Sequence, residues 1–306
     1  MASIVTHVTA ADGTDLLTRH WPAGSSAPGD ASAGRPWASV LLVHGLGEHS
    51  GRYERVGDQL AAAGIDVHAF DNRGNGGSGG MRGHVDRWTD YHDDLAERLA
   101  AVRSAAGDRP VAMYGHSLGG LIVAGYCLSD RPKPEFVVLG SPGLDATLPA
   151  WKKRLVALLG RILPTLSIQN GIPGATLSRD PSVAATLAVD PLRAATSTTR
   201  FGAEALREQA RVRAAAPGGL GVPTLIIHGE DDGLVPVRAS SGFEGAPRTT
   251  RRTYPGLRHE LHNEPEGPEI IDGVIAWLRE RVADLPAERP ADLPAERPAD
   301  LPAERV

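Results

Sequence analysis

The sequence of 306 residues has few cysteines and no long apolar segment. Its single cysteine, Cys127, excludes an internal disulfide framework and is typical of a protein from a reducing compartment. No apolar run approaches the roughly 20 residues that a helix needs to cross a bilayer. The N-terminus also lacks the basic and apolar regions of a signal peptide. We therefore expect a soluble, cytoplasmic protein that is at most peripheral to a membrane.

Charge of one sign does not dominate the chain either. The formal net charge is −5 and the isoelectric point is near 6.1. Nucleic-acid-binding domains usually carry a marked excess of positive charge, which is absent from this composition. We expect no nucleic-acid partner, and we expect the chain to be a monomer or a homodimer.

Short apolar runs alternate with helical patterns in the first half of the chain. Asp12 and Gly13 form a turn dipeptide that predicts an opening hairpin. Later runs are nearly continuously apolar, which indicates strands buried on both faces, as in a parallel sheet between helices. The predicted strands are Ile4–Val8, Leu16–Trp21, Val40–Val43, Ile65–Phe70, Val111–Tyr114 and Phe136–Leu139. The predicted helices are Arg52–Ala63, Trp88–Ala106 and Leu118–Ser129. This alternation predicts an α/β fold with a mostly parallel, doubly wound sheet.

The alternation stops at Pro142 and resumes near Val222. Residues 142–220 contain no convincing strand, so we interpret them as a helical cap inserted into the core. The core has two parts, residues 1–141 and residues 221–283. The second part contains predicted strands at Val222–Ile227 and Thr249–Tyr254 and a final helix at Ile270–Val282. Residues 284–306 repeat the octapeptide ADLPAERP, whose prolines forbid a continuous helix. We expect this tail to be a poorly ordered extension.

One cap segment has an amphipathic pattern. Its apolar residues recur at three- and four-residue spacing, while basic residues fall largely elsewhere. The apolar set is Leu148, Trp151, Leu155, Leu158, Leu159, Ile162 and Leu166, and the basic set is Lys152, Lys153, Arg154 and Arg161. Two interpretations remain open. The helix packs its apolar face onto its own domain, or it is a lid that lines an acyl pocket or makes transient contact with a membrane or micelle.

The pattern G-x-S-x-G, typical of a serine nucleophile on a tight turn, occurs twice. One match is centred on Ser117 and the other on Ser78. A nucleophile elbow needs a buried strand before the serine and a helix after it. Val111–Tyr114 leads into Ser117 and an apolar helix follows it, whereas a glycine-rich loop follows Ser78. The context therefore selects Ser117 as the candidate nucleophile.

A serine hydroxyl needs a neighbouring base, and that base needs an orienting acid. In this type of fold the chain order is serine, acid, histidine, with each residue following a strand. His259 lies in the loop after the last predicted strand and is the candidate base. The loop after Val222–Ile227 supplies the acid, which on these grounds is either Asp231 or Asp232.

Two further motifs resemble ligand sites without fulfilling their requirements. Gly74, Gly76 and Gly79 have the spacing of a dinucleotide-binding fingerprint, but no helix begins at the last glycine. His259 and His262 flank a glutamate, but their spacing is one residue shorter than in the zinc motif H-E-x-x-H. We therefore expect no nucleotide or other cofactor and no metal ligand.

Taken together, these residues resemble the monoacylglycerol lipase family, also described as serine aminopeptidase-like or lysophospholipase-like hydrolases. The resemblance covers nearly the whole chain from about Gly13 to Arg281. Its landmarks are His44–Tyr53, Asp71–Gly74, Gly115–Gly120, Leu177–Pro181, His228–Pro236 and Tyr254–Glu260. The resemblance implies an α/β-hydrolase fold and places the acid at Asp232.

The resemblance also implies roles for residues around the nucleophile. The backbone amides of Leu46 and Leu118 would form the oxyanion hole, and Glu48, Arg52 and His116 would bind a glycerol-like head group. Glu48 and Arg52 are four residues apart, so a local salt bridge is the alternative interpretation.

The function that follows is hydrolysis of a small lipid ester by a Ser-His-Asp triad through an acyl-enzyme. The substrate that the resemblance implies is monoacylglycerol. A broad-specificity short-chain carboxylesterase and a lysophospholipase are the alternatives.

Overall fold

The computed structural model describes residues 3–24, 35–145 and 148–285. Their strands are β1 (Ile4–Thr9), β2 (Asp15–Trp21), β3 (Ala38–Val43), β4 (Ile65–Phe70), β5 (Val111–His116), β6 (Phe136–Gly140), β7 (Ser167–Gln169), β8 (Thr196–Thr198), β9 (Thr224–Gly229) and β10 (Thr249–Tyr254). Eight of them form one sheet in the order β1-β2-β4-β3-β5-β6-β9-β10. Strands β1 and β2 form an antiparallel hairpin, β2 pairs antiparallel with β4, and the other neighbours are parallel.

Helices flank both faces of this sheet, and others lie in the segment between β6 and β9. They are α1 (Glu54–Ala62), α2 (Trp88–Ala106), α3 (Leu118–Cys127), α4 (Ala150–Ile162), α5 (Pro181–Val189), α6 (Thr199–Ala215) and α7 (Gly267–Ala283). Helices α1 and α7 pack on one face, and α2 and α3 pack on the other. This arrangement confirms the predicted α/β-hydrolase fold with a doubly wound, mostly parallel sheet. Among the described residues, no helix has both the length and the apolar character needed to cross a membrane.

The central strands are buried as their composition predicts. Every residue of β3, β5, β6 and β9 is buried. Because helices pack on both faces of these strands, a polar residue at any position would lose its hydration on either side. The carboxyl ends of the parallel strands lie along one edge of the sheet, and the loops that follow β5, β9 and β10 at this edge carry Ser117, Asp232 and His259.

The segment between β6 and β9 contains helices α4, α5 and α6. The expectation that it holds no strand is wrong, because β7 and β8 form a short antiparallel pair there. Each of these strands has three residues, with the sequences Ser-Ile-Gln and Thr-Ser-Thr. Such short polar segments show no alternation that a sequence pattern could reveal. Of the predicted tail, residues 286–306 lie outside the described residues.

Helix α4 contains most of the amphipathic pattern predicted in the cap. It packs on α6 at positions where side chains are small: a Cβ atom added to Gly160 would lie 2.6 Å from that of Ala203. The apolar stripe faces elsewhere. Trp151, Leu155 and Ile162 are 62%, 44% and 61% exposed. Within the described ranges, these residues of the stripe are therefore not the surface through which α4 packs on α6.

Candidate active site

Ser117 lies on the tight turn between β5 and α3. Its backbone angles are φ 51° and ψ −115°, a conformation that non-glycine residues rarely adopt and that stores strain. A glycine also allows α3 to approach the end of the neighbouring strand β3. A Cβ atom on Gly119 would lie 2.0 Å from the carbonyl oxygen of Val43. The turn thus holds the Ser117 hydroxyl out of the carboxyl edge of the sheet.

His259 and Asp232 complete a hydrogen-bonded chain with this serine. His259 Nε2 lies 2.9 Å from Ser117 Oγ, and His259 Nδ1 lies 2.6 Å from Asp232 Oδ2. An ionised carboxylate can only accept, so the Nδ1 atom carries the proton of the neutral imidazole. Nε2 is then left with a lone pair directed at the Ser117 hydroxyl. This is the arrangement needed to remove a proton from that hydroxyl.

Hydrogen bonds keep the carboxylate of Asp232, the acid in this hydrogen-bonded series, ionised. Asp232 Oδ1 accepts hydrogen bonds of 2.9 Å from the amides of Leu234 and Val235. Burial alone would raise the pKa of the Asp232 carboxyl, but hydrogen bonds from His228 and His259 outweigh burial and bring its pKa well below the usual range. The neighbouring Asp231 is exposed. Of the two acids left open by the spacing, the structure brings Asp232 to His259.

The two predicted oxyanion-hole residues flank the serine. Leu118 is the first residue of α3, where a helix leaves its amides without intrahelical acceptors. Leu46 lies in the loop after β3, and this loop packs on the serine, since a Cβ atom on Gly45 would lie 3.2 Å from Ser117 Cβ. Within the described parts of the chain, the amides of Leu46 and Leu118 donate no hydrogen bond to another protein group. Both amides are therefore free to bind a ligand oxygen.

Glu48 and Arg52 form a buried ion pair. Arg52 Nη1 lies 2.7 Å from Glu48 Oε2, and the same guanidinium binds both carboxylate oxygens of Glu260 at 2.7 and 2.8 Å. Glu48 also accepts hydrogen bonds from Tyr53 Oη at 2.7 Å and from the amide of Gly45 at 2.5 Å. The local salt bridge considered from the sequence is thus present. It also joins the loop after β3 to the loop that carries His259.

His116 lies beneath the candidate base. Its ring centroid is 4.9 Å from that of His259 and 4.9 Å from that of His262. Burial, together with the neighbouring His259, lowers the pKa of His116 to about 3, so its ring is neutral at physiological pH. His262 is likewise buried, which lowers its pKa to about 3. Sequence reasoning gave no role to His262 or Glu260, since their partners lie far away along the chain.

Ser78, the other match to G-x-S-x-G, has a different environment. Its hydroxyl donates to the carbonyl of Asp71 at 2.6 Å and accepts from the amide of Leu17 at 2.9 Å. The side chain is buried and joins a loop to strand β2. These contacts describe a structural hydroxyl.

Comparison with known proteins agrees with this geometry. The family described as serine aminopeptidase, S33 (Hydrolase_4) matches residues 34–266. The monoacylglycerol lipase of Mycolicibacterium smegmatis is 33% identical over 79% of this chain and 88% of its own length. The mouse monoglyceride lipase is 30% identical over 90% of this chain and 91% of its own. An abhydrolase domain-containing protein of Dictyostelium discoideum is 30% identical over 94% of this chain, which spans 30% of that longer protein.

Solved structures show the same relationship. The monoacylglycerol lipase of Paleococcus ferrophilus superposes with a TM-score of 0.74 at 30% identity, over 87% of this chain and 99% of its own. A monoglyceride lipase of Saccharomyces cerevisiae superposes with a TM-score of 0.81 over 92% of this chain and 96% of its own, and its 21% identity establishes the shared fold alone. The chain belongs to the serine aminopeptidase S33 (Hydrolase_4) family of α/β-hydrolases, within the group that includes the monoacylglycerol lipases.

Proposed function

We propose that this carboxylic ester hydrolase cleaves monoacylglycerols through an acyl-enzyme formed on Ser117. The observation that carries the proposal is the continuous hydrogen-bonded chain from Ser117 through His259 to Asp232 on a strained turn. The relatives named monoacylglycerol or monoglyceride lipases support the choice of substrate class. No metal or cofactor takes part in the proposed reaction.

In the first half of the reaction, Ser117 Oγ attacks the ester carbonyl carbon while His259 Nε2 takes the hydroxyl proton. The amides of Leu46 and Leu118 bind the oxyanion that forms, and each such donor is typically worth about 3–4 kcal/mol in the transition state. The ionised Asp232 stabilises the imidazolium. His259 then returns the proton to the leaving alcohol oxygen, the ester bond breaks, and the acyl group stays on Ser117.

In the second half, water replaces the alcohol. His259 takes a proton from the water, whose oxygen attacks the acyl carbonyl, and the same two amides bind the new oxyanion. The bond to Ser117 Oγ breaks as His259 returns the proton to the serine. The products are a fatty acid and glycerol, and the enzyme regains its starting protonation.

We also propose that helix α4 brings the cap into transient contact with the lipid surface that holds the substrate. Its exposed apolar stripe is one side of the helix, and Leu158 at its centre is 53% exposed. Lys152, Arg154 and Arg161 lie to either side of the stripe at the spacing of this helix. An exposed apolar face bordered by cations suits the boundary between acyl chains and anionic head groups.

The substrate proposal is tested by hydrolysis of monoacylglycerol, diacylglycerol and lysophospholipid side by side, with p-nitrophenyl esters of two to sixteen carbons as a chain-length series. We expect monoacylglycerol to be preferred and Ser117→Ala to abolish turnover. Ser78→Ala is the matched control, because it removes a hydroxyl from the other G-x-S-x-G motif. A preference confined to the shortest acyl chains would favour the carboxylesterase, and a preference for lysophospholipid would favour the lysophospholipase.

The lipid-contact proposal is tested by the fluorescence of Trp151 during titration with anionic phospholipid vesicles. Trp21, Trp88 and Trp277 are buried, and Trp37 is partly buried, so the titration is done in a Trp37→Phe background, where a blue shift reports on Trp151 of α4. We expect the shift to disappear in Leu158→Ser and to persist in Val189→Ser, which changes an equally apolar exposed residue on α5. An unshifted wild-type spectrum would refute the contact.

A further inference from the structure

Two histidines and one aspartate meet on the sheet face that packs against α2. The Nε2 atom of His20 lies 2.8 Å from Asp66 Oδ1, and the Nε2 atom of His68 lies 3.0 Å from Asp66 Oδ2. The two imidazole rings stack, with centroids 4.4 Å apart and planes inclined by 6°. One potential ligand atom from each residue lies within 4.8 Å of the other two. None of these residues belongs to the proposed reaction.

The register of the sheet brings these side chains together. His20 on β2 and His68 on β4 are directly paired across an antiparallel ladder, and side chains of such a pair share a face. Asp66 is two residues before His68 on the same strand, so it points to that face as well. The cluster depends on backbone pairing in two strands and is therefore positioned by the rigid part of the molecule.

The cluster is only partly buried and is accessible to solvent. The side chains of His20, His68 and Asp66 are 35%, 20% and 13% exposed. Burial would raise the pKa of the Asp66 carboxyl, but hydrogen bonds from His20 and His68 outweigh burial and lower its pKa below the usual range. The carboxylate is therefore ionised at neutral pH, and solvent reaches the imidazoles.

A neighbouring hydroxyl lacks a partner. Ser39 on β3 is the register partner of Asp66 in the parallel ladder, so its side chain lies on the same face. Its Oγ atom is buried and has no hydrogen-bond partner among the described residues. Buried hydroxyls are usually satisfied, so this one calls for an explanation. A water molecule bound to an ion in the cluster is a candidate partner for it.

We propose that His20, Asp66 and His68 form a site for a divalent transition-metal ion, with Zn²⁺ as the favoured ligand. Two imidazole nitrogens and one carboxylate oxygen form a donor set that zinc accepts, with water completing a tetrahedron. Zinc binds such atoms at about 2.0–2.2 Å, so small side-chain rotations bring all three onto one ion. Exchange with solvent removes the Nε2 protons that now lie between the imidazoles and the carboxylate, and each ring then carries its proton on Nδ1 and binds the ion through Nε2. Its effect is to join the opening hairpin to the parallel sheet.

The experiment uses the full chain without a polyhistidine tag, stripped with a chelator and titrated with ZnCl₂. Calorimetry should show one bound equivalent. At free zinc about 100-fold above Kd, the thermal midpoint should rise by about 5–10 °C. Co²⁺ should give the visible d–d absorption of a tetrahedral nitrogen and oxygen site. His20→Gln and His68→Gln should each abolish both effects.

Two controls separate this site from others. His7→Gln removes an exposed histidine of the same hairpin that pairs with a single carboxylate, Asp15, and should leave zinc binding unchanged. His259→Ala removes the imidazole of the proposed triad and should also leave the equivalent bound. Zinc binding that survives His20→Gln but is lost in His259→Ala would overturn the proposal, as would wild-type protein that binds no zinc. His20 is partly exposed, and circular dichroism checks that the His20→Gln and His68→Gln variants are folded.

Discussion

Replacement of Arg52 distinguishes two roles for the charges beside the proposed active site: stabilising the folded structure or binding the substrate. Its guanidinium is 11% exposed and contacts the carboxylates of Glu48 and Glu260, which are 4% and 2% exposed. Arg52→Gln removes the positive charge and leaves two carboxylates in a site from which water is largely excluded. Glutamine keeps the Cβ–Cδ stem and a polar end but lacks the atoms beyond Nε, so a part of the loss comes from packing as well as from charge.

The expected cost follows from this burial. Breaking a buried ion pair by removing one partner typically costs about 3–5 kcal/mol, because the remaining charge stays uncompensated. For a chain of this size, 1 kcal/mol corresponds to about 2–4 °C in the thermal midpoint. The midpoint of Arg52→Gln should therefore fall by about 6–20 °C at pH 7.

The pH dependence of this loss has a definite sign. Burial would raise the pKa of Glu260, but Arg52 outweighs burial and lowers that pKa to about 2. In the wild type this carboxylate therefore stabilises the fold above its unfolded pKa, and the contribution is lost as the pH falls from about 4 toward 2. In Arg52→Gln, burial raises the pKa of Glu260 instead. Protonation of Glu260 as the pH falls then removes its uncompensated buried charge. The gap between the two midpoints should narrow as the pH falls from 7 toward 4.

Scanning calorimetry from pH 7 to pH 4 measures this gap, and ester hydrolysis measures KM and kcat in parallel. Arg35→Gln is the control, since it breaks an exposed pair with Asp108 that is worth at most about 1 kcal/mol. A midpoint of Arg52→Gln equal to that of the wild type, with only KM raised, would refute the structural role. That result would favour direct binding of the substrate head group by Arg52.

Three further substitutions probe the triad, the buried hydroxyl of Ser78 and the elbow. Asp232→Asn should lower kcat by about 10⁴-fold, because the amide favours the wrong tautomer of His259; a loss below tenfold in ester turnover would contradict the assignment. Ser78→Ala should lower the free energy of unfolding by about 1–3 kcal/mol, since it leaves a buried amide unpaired, without changing kcat/KM; inactivity of a folded variant would contradict this. Gly119→Ala should destabilise by about 1–3 kcal/mol or more through overpacking, whereas Gly218→Ala, which meets open space, should not. Urea unfolding measures the stability of the Ser78 and glycine variants. Equal midpoints for Gly119→Ala and Gly218→Ala would refute the close approach of Gly119 to Val43.

Much of the fold could be predicted from the sequence because the core strands are continuously apolar. Runs such as Val111–Tyr114 and Phe136–Leu139 would expose apolar side chains to water at a surface, so their place between two layers of helices follows from composition. The cap resists such prediction. Strands β7 and β8 have three residues each and are held by pairing with each other, which no local pattern encodes. The exposed stripe on α4 shows the same limit, since amphipathicity reveals an apolar face but not what covers it.

The candidate site, like the fold, could be predicted only in part from the sequence. Ser117 could be separated from Ser78 because a strand enters and a helix leaves only one of them. The spacing of residues left Asp231 and Asp232 equivalent, the family resemblance pointed to Asp232, and the geometry of the loop after β9 directs Asp232 at His259. The contact of Arg52 with Glu260 joins residues 208 positions apart. Contacts of that kind depend on tertiary structure and leave no local sequence signal.

Labelling with a fluorophosphonate probe examines the nucleophile itself. Such probes phosphonylate a serine only when a neighbouring base activates its hydroxyl, so the modified residue reports the chemistry as well as the position. We predict one probe per chain by intact mass, mapped to Ser117 by peptide sequencing, lost in Ser117→Ala and His259→Ala and retained in Ser78→Ala. A folded wild-type protein that stays unlabelled, or that carries the probe on another residue, would contradict the assignment of Ser117.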